Sequence, residues 1–109
     1  RPMKIDMFER LPTPFGLVRF GVAPDHPEVK NVITDFTDVA QNDGFRFFGN
    51  VEVGERLPLA LLRQSYDAVV VCTGAAGDRS LGLPGEELSG VVGAPPLVKW
   101  YNSHPDYTG

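Results

Sequence analysis

What the sequence lacks narrows it first. No apolar run approaches the roughly 20 residues that cross a bilayer, so no membrane-spanning helix is expected. There is one cysteine, Cys72. A single thiol cannot close an internal disulfide, excludes a cysteine-rich metal site and fits a reducing compartment. Without a second cysteine to resolve an oxidised form, no redox role is expected for it, and its place in an apolar run predicts burial. Positive charge is short: 10 Lys and Arg stand against 14 Asp and Glu, for a net charge of -4. That argues against nucleic acid as a partner, and an anionic membrane surface is equally disfavoured. The glycine-rich phosphate fingerprint G-x-G-x-x-G does not occur, and there is no repeat or low-complexity tract. No charged-then-apolar leader opens the chain. Arg1 to Ile5 runs almost directly into a strand pattern, which suggests an excised segment.

What is there suits a packed α/β chain. Of 109 residues, 42% are hydrophobic and 22% charged, enough for a core in one domain or part of one. Lys4 to Glu9 reads as a short strand ending at a carboxylate. Arg10 to Asp25 holds Pro12, Pro14, Gly16, Gly21 and Pro24, which interrupt helix and strand alike. It is nonetheless apolar, through Phe15, Leu17, Val18, Phe20 and Val22, so it is expected to be an ordered loop over something flat and apolar. Asp25-His26-Pro27-Glu28 has the form of a capping box. Val29, Val32, Ile33, Phe36, Val39 and Ala40 then recur at helical spacing, and Asn42-Asp43-Gly44 stops the run. A strand is expected over Phe45–Phe48, resuming at Val51–Val53, and a short helix over Pro58–Gln64. Ala68–Cys72 is apolar at every position, which suits a parallel strand covered on both faces. After Thr73-Gly74-Ala75 the chain is turn-rich, with Glu86-Glu87 in a solvated turn. Leu97 to Tyr101 has the pattern of one or two helical turns, in which Trp100 and Tyr101 pack. His104 reads as a surface histidine. Strands alternating with helices predict a parallel α/β sheet.

The uninterrupted stretch from Pro12 through Gly16-Leu17-Val18-Arg19 and Pro24-Asp25-His26-Pro27 to Asn31 closely resembles the adrenodoxin reductase family, the mitochondrial type of ferredoxin–NADP reductase. Gly49-Asn50-Val51-Glu52-Val53-Gly54, Leu83-Pro84-Gly85-Glu86-Glu87-Leu88 and Trp100-Tyr101-Asn102 support it, so the resemblance covers nearly the whole chain. It implies an incomplete Rossmann-like FAD-binding domain whose first strand and glycine-rich turn are missing. The absent strand would lie between the Ile5 strand and Ala68–Cys72, leaving unpaired edges through which the chain would self-associate. Residues 1–93 would be the partial FAD domain and 94–109 the start of a crossover towards an NADPH domain. The implied cofactor is FAD, with NADPH as co-substrate. The implied partner is a ferredoxin or adrenodoxin-type iron–sulfur protein, and the implied location is mitochondrial.

The candidate residues have two readings each. Glu9 is a solvated strand end by pattern; by resemblance its carboxylate accepts ribose hydroxyls, as an acidic strand end does in dinucleotide folds. Gly16 and Leu17 form either a surface turn with Leu17 filling the core or backbone lying against FAD. Arg19 is a surface cation or a forked donor to the pyrophosphate. Asp25 reads mainly as a helix cap. His26 is either exposed beside it or, by resemblance, the catalytic candidate beside the flavin ring. Val53 is a core valine by pattern; by resemblance its backbone meets the adenine. Thr73 and Gly74 are an ordinary turn or the cofactor-binding end of a parallel strand. No metal ligands are expected. Two functional classes follow: part of a reductase that forms one wall of an FAD site and is inactive alone, or a non-catalytic remnant or interaction module.

Overall fold

The computed structural model describes residues 2–108. Its centre is a parallel pair of strands, β1 (Ile5–Phe8) and β2 (Phe45–Phe48), in register Ile5↔Phe45, Asp6↔Arg46, Met7↔Phe47 and Phe8↔Phe48. Between them run α1 (Gly16–Phe20), α2 (Pro27–Lys30) and α3 (Val32–Ala40). A parallel pair needs such a crossover, because no tight turn can reverse the chain twice. Three further elements follow: α4 (Leu59–Ser65), α5 (Ala94–Tyr101) and a short 3-10 helix, Pro105–Tyr107. The parallel pair and the flanking helices bear out an α/β class.

Side chains tie the two strands in the same register as the backbone. Arg46 donates to both carboxylate oxygens of Asp6, Nε to Oδ1 at 2.7 Å and Nη2 to Oδ2 at 2.6 Å. Tyr66 Oη donates to the same carboxylate. These hydrogen bonds, the Arg46 bond foremost, hold the Asp6 carboxyl below the ordinary carboxylate range. The Asp6 side chain is only 5% exposed, and a buried carboxylate needs such partners. Phe8 stacks on Phe48 with ring centres 5.1 Å apart, and Tyr66 meets Phe8 edge-on.

Several expectations fail. Ala68–Cys72 forms no strand among the described residues, because it has no hydrogen-bonded neighbour there; Val70 stands 82% exposed. Cys72, expected to be buried, is exposed for the same reason. Val51–Val53 is not a strand; Val53 makes only an isolated bridge to Leu57. The loop after β1 contains the five-residue helix α1, so proline and glycine punctuate it without removing helix altogether. The helix after it is two pieces joined at Asn31. The Asp25 capping box does not form: His26 takes the cap position, with no side-chain hydrogen bond to the helix, and Asp25 bonds His26 instead. Trp100 does not pack, being 58% exposed on the eight-residue α5. Glu86 is half-buried rather than solvated, since its carboxylate accepts from the Leu81 and Gly82 amides and from Ser80 Oγ. His104, expected at the surface, is buried against Phe20, ring centres 4.8 Å apart.

The buried apolar core among the described residues is small: Leu11, Phe20 and Leu62. The radius of gyration is 17.1 Å. A compact chain of this length would have about 13 Å, so the fold is open. Among the described residues no helix is long and apolar enough to cross a membrane.

Candidate functional site

The carboxyl edge of the parallel pair gathers the first candidates. The ladder runs one step past β1, with the Glu9 amide donating to Phe48 O at 3.0 Å. Two further amides tie the strand ends together: Val51 N to Glu9 O at 2.9 Å and Asn50 N to Leu11 O at 3.1 Å. Gly49 makes this crossing possible. A Cβ there would lie 2.9 Å from Pro12 O and 3.2 Å from Leu11 O, so only glycine lets the apolar loop pass over the end of β2. Glu9 Oε1 accepts from the Leu11 amide at 3.0 Å. Its Oε2 has no partner among the described residues.

The loop then turns through Phe15, in the left-handed region at φ 73°, and enters α1. Gly16 is half-buried, and Leu17 points outward, 79% exposed. Arg19 folds back on its own loop. Its Nε donates to Pro14 O at 3.1 Å and its guanidinium lies over the Phe15 ring, leaving the terminal nitrogens free of partners among the described residues. Thr13 Oγ1 in this loop is a buried hydroxyl without a hydrogen-bond partner among the described residues. Such groups carry a desolvation cost of about 1–3 kcal/mol and mark a place where a partner belongs. Beyond α1, His26 Nδ1 lies 2.9 Å from Asp25 Oδ1, both side chains exposed. The hydrogen bond to His26 is the chief cause that holds Asp25 below the ordinary carboxylate range. A carboxylate on one ring nitrogen orients the imidazole and leaves the other nitrogen outward.

The remaining candidates stand apart. Val53 is 41% exposed at its bridge, and Thr73 and Gly74 are exposed in the stretch after the apolar run. Gly74 has φ 69°, a conformation that favours glycine. Among the described residues no hydrogen bond links Thr73 or Gly74 to Glu9 or to α1. The structure thus brings Glu9 and the start of the loop, Leu11 and Pro12, to one sheet edge; Gly16, Leu17 and Arg19 follow on the helix that this loop enters, and Thr73 and Gly74 lie outside it.

Sequence reasoning missed four groups. The opposed charges of Asp6 and Arg46 become meaningful only once the register pairs them, a signal available after alignment of the two strands. Thr13 and Lys30 carried no local signal, since Thr13 has no partner among the described residues and Lys30 finds its own far along the chain; His104, read as a surface histidine, is buried by the remote Phe20.

An α/β chain on a parallel pair, with an acidic strand end and an ordered apolar loop at its carboxyl edge, defines a class that places ligands where parallel strands end. No protein-family model matches the chain. Individual relatives do. It is 58% identical over 103 residues to a probable mitochondrial NADPH:adrenodoxin oxidoreductase of Schizosaccharomyces pombe, covering 94% of this chain and 22% of the relative. It is 55% identical over 104 residues to the mitochondrial NADPH:adrenodoxin oxidoreductase of Arabidopsis thaliana, covering 95% and 22%. Among solved structures, Mycobacterium tuberculosis FprA in complex with NADPH matches with a TM-score of 0.92 at 51% identity, covering 96% of this chain and 23% of that one. The chain belongs to the adrenodoxin reductase family, and it spans about a fifth of the length of the curated relatives it matches. Those relatives are named as oxidoreductases; several are named mitochondrial and others are mycobacterial.

Proposed function

We propose that this chain forms one wall of an FAD site in a flavoenzyme that takes hydride from NADPH and passes single electrons to a ferredoxin or adrenodoxin-type iron–sulfur protein. The observation that carries the reading is the match of 96% of the chain to NADPH-bound FprA at a TM-score of 0.92. The residues present fit the cofactor. A strand-end carboxylate has an oxygen free, an adjoining loop holds an orphaned buried hydroxyl, and Leu17 is presented outward.

In this reading Glu9 Oε2 accepts from ribose hydroxyls, and its negative charge disfavours a 2′-phosphate there. Gly16 and Leu17 lie against the cofactor, with the free nitrogens of Arg19 directed to its phosphates. Val53 offers backbone to the adenine, and Thr73-Gly74 closes the site once the apolar run before it is paired. His26, oriented by Asp25, sits beside the ring system and holds or moves a proton at its outward nitrogen. The flavin itself supplies hydride acceptance and one-electron release, so no protein acid or base is needed for hydride transfer.

The fuller architecture is Rossmann-like, with one strand filling the place between β1 and Ala68–Cys72. Residues 1–93 belong to the FAD domain and 94–109 to the crossover towards an NADPH domain. The location is mitochondrial. The open fold favours a second reading for the 109 residues alone: without cover for the run from Val69 to Cys72, they are inactive, hold FAD weakly and self-associate through free strand edges.

The test is flavin retention. After incubation with FAD and desalting, the full-length protein is expected to keep its visible flavin bands. Glu9→Ala is expected to weaken binding about tenfold, the loss of one charge-assisted hydrogen bond. A full-length protein that retains no flavin overturns the reading.

A further inference from the structure

Three ties converge on the end of α1. Lys30 Nζ donates to Val18 O at 3.4 Å, to Arg19 O at 3.1 Å and to Asn102 Oδ1 at 3.2 Å. Asn102 Nδ2 donates to Phe20 O at 3.3 Å and to Val98 O at 3.0 Å. The last carbonyls of a helix have no partner within it, and here three of them in succession are met by two side chains from outside. A cation there also faces the negative end of the helix dipole, although five residues make that dipole weak. The ties are remote in sequence: Asn102 ends α5, and Lys30 ends α2. Directly beyond, Phe20 packs on the buried ring of His104, which belongs to the same carboxyl-terminal segment as Asn102.

A helix of five residues has little stability of its own and takes its conformation from whatever holds it. The clamp fixes the carboxyl end of α1 from one side. The side chain of Leu17 stays free and outward on the same helix, and Arg19 remains bonded to Pro14. We infer that Lys30 and Asn102 are positioning residues, which set α1 so that Gly16, Leu17 and Arg19 face the cofactor, and that the segment containing α5 reports its own placement to the flavin loop through Asn102. This rests on the FAD reading above. It gives α5 a part in the site that no contact with cofactor would reveal.

Two readouts on the full-length protein separate the clamp from the functional reading. Hydrogen exchange at the Arg19 and Gly21 amides is expected to speed up at least about tenfold in Lys30→Met and in Asn102→Ala, with β1 and β2 unchanged, because the loop opens locally. FAD dissociation constants are expected to rise about tenfold in both variants. Lys30→Arg, which keeps a cation and several donors, is expected to restore both. Asn102→Asp, which keeps the acceptor for Lys30 and loses both amide bonds, is expected to fall between. Unchanged exchange overturns the clamp. Faster exchange with unchanged FAD affinity overturns the positioning role. If the unaltered protein binds no FAD while the variants still show the local change in exchange, the functional reading is overturned and the clamp stands.

Discussion

Residues 5–48 and residues 67–93 have similar hydrophobic character and opposite fates. In the first, two short strands lie in register, their aromatic rings stack and a carboxylate–guanidinium pair bridges them. In the second, a run apolar at every position forms no strand, with Val70 82% and Val71 66% exposed, and Leu81 beyond it is 73% exposed. Hydrophobic residues therefore do not make a strand. A neighbour that accepts and donates along the ladder does, and β1 and β2 find each other within one crossover. The apolar run requires a partner that residues 2–108 do not provide.

The comparison breaks most readily at the buried contacts. Phe20→Ala is expected to lower unfolding stability by about 3 kcal/mol, the range for truncating a buried aromatic. Chemical denaturation would measure it. A loss under about 1 kcal/mol would mean that the first region is no better packed than the second.

Acid should act on the first region through Asp6. Its folded pKa is lowered, chiefly by Arg46, so its contribution is complete above the ordinary carboxylate value near 3.8. It is lost as pH falls from there through the folded value. Urea midpoints across acid pH should show this loss in the unaltered protein, and Asp6→Asn should be less stable at neutral pH and lack it.

His104 gives a smaller effect at higher pH. Its Nδ1 accepts from the Asp106 amide at 3.1 Å, a bond only the unprotonated nitrogen can make. Burial is the main cause that lowers its pKa from 6.5. Its contribution is therefore complete above about 6.5 and is lost as pH falls through the folded value. A His104→Gln variant should flatten the stability profile in that window. A ring titration near 6.5 would show that burial does not perturb it.

The smallest effect sharpens the contrast. Val70→Thr should change stability by less than about 0.5 kcal/mol in the 109-residue chain, as exposed positions do. Cys72 should react with a thiol reagent as a free side chain. If a covering strand is present, as the proposed architecture requires, the valine change becomes costly and the thiol becomes slow.

Much of the frame was legible without coordinates. Both paired strands, the helices near Pro58 and Leu97 and the α/β class follow from periodicity, because each is specified by residues close in sequence. The family resemblance identified the loop and its candidate residues. The rest depended on distance. Asp25 has the chemistry of a cap, but His26 beside it offered a competing partner 2.9 Å away. His104 has the composition of a surface residue, but Phe20, far back in the chain, buries it.

The sequence by itself determined the two paired strands, the short helices near Pro58 and Leu97, the acidic end of β1 and the apolar content of the loop, all of which depend on neighbouring residues. Only the tertiary structure decided which strand has a partner, that Gly49 lets one strand end pass beneath a loop, and that Lys30 and Asn102 share the end of α1. Hydrogen-bond ladders, burial and carbonyl capping are satisfied by groups brought together in space, and their spacing along the chain carries no record of the meeting.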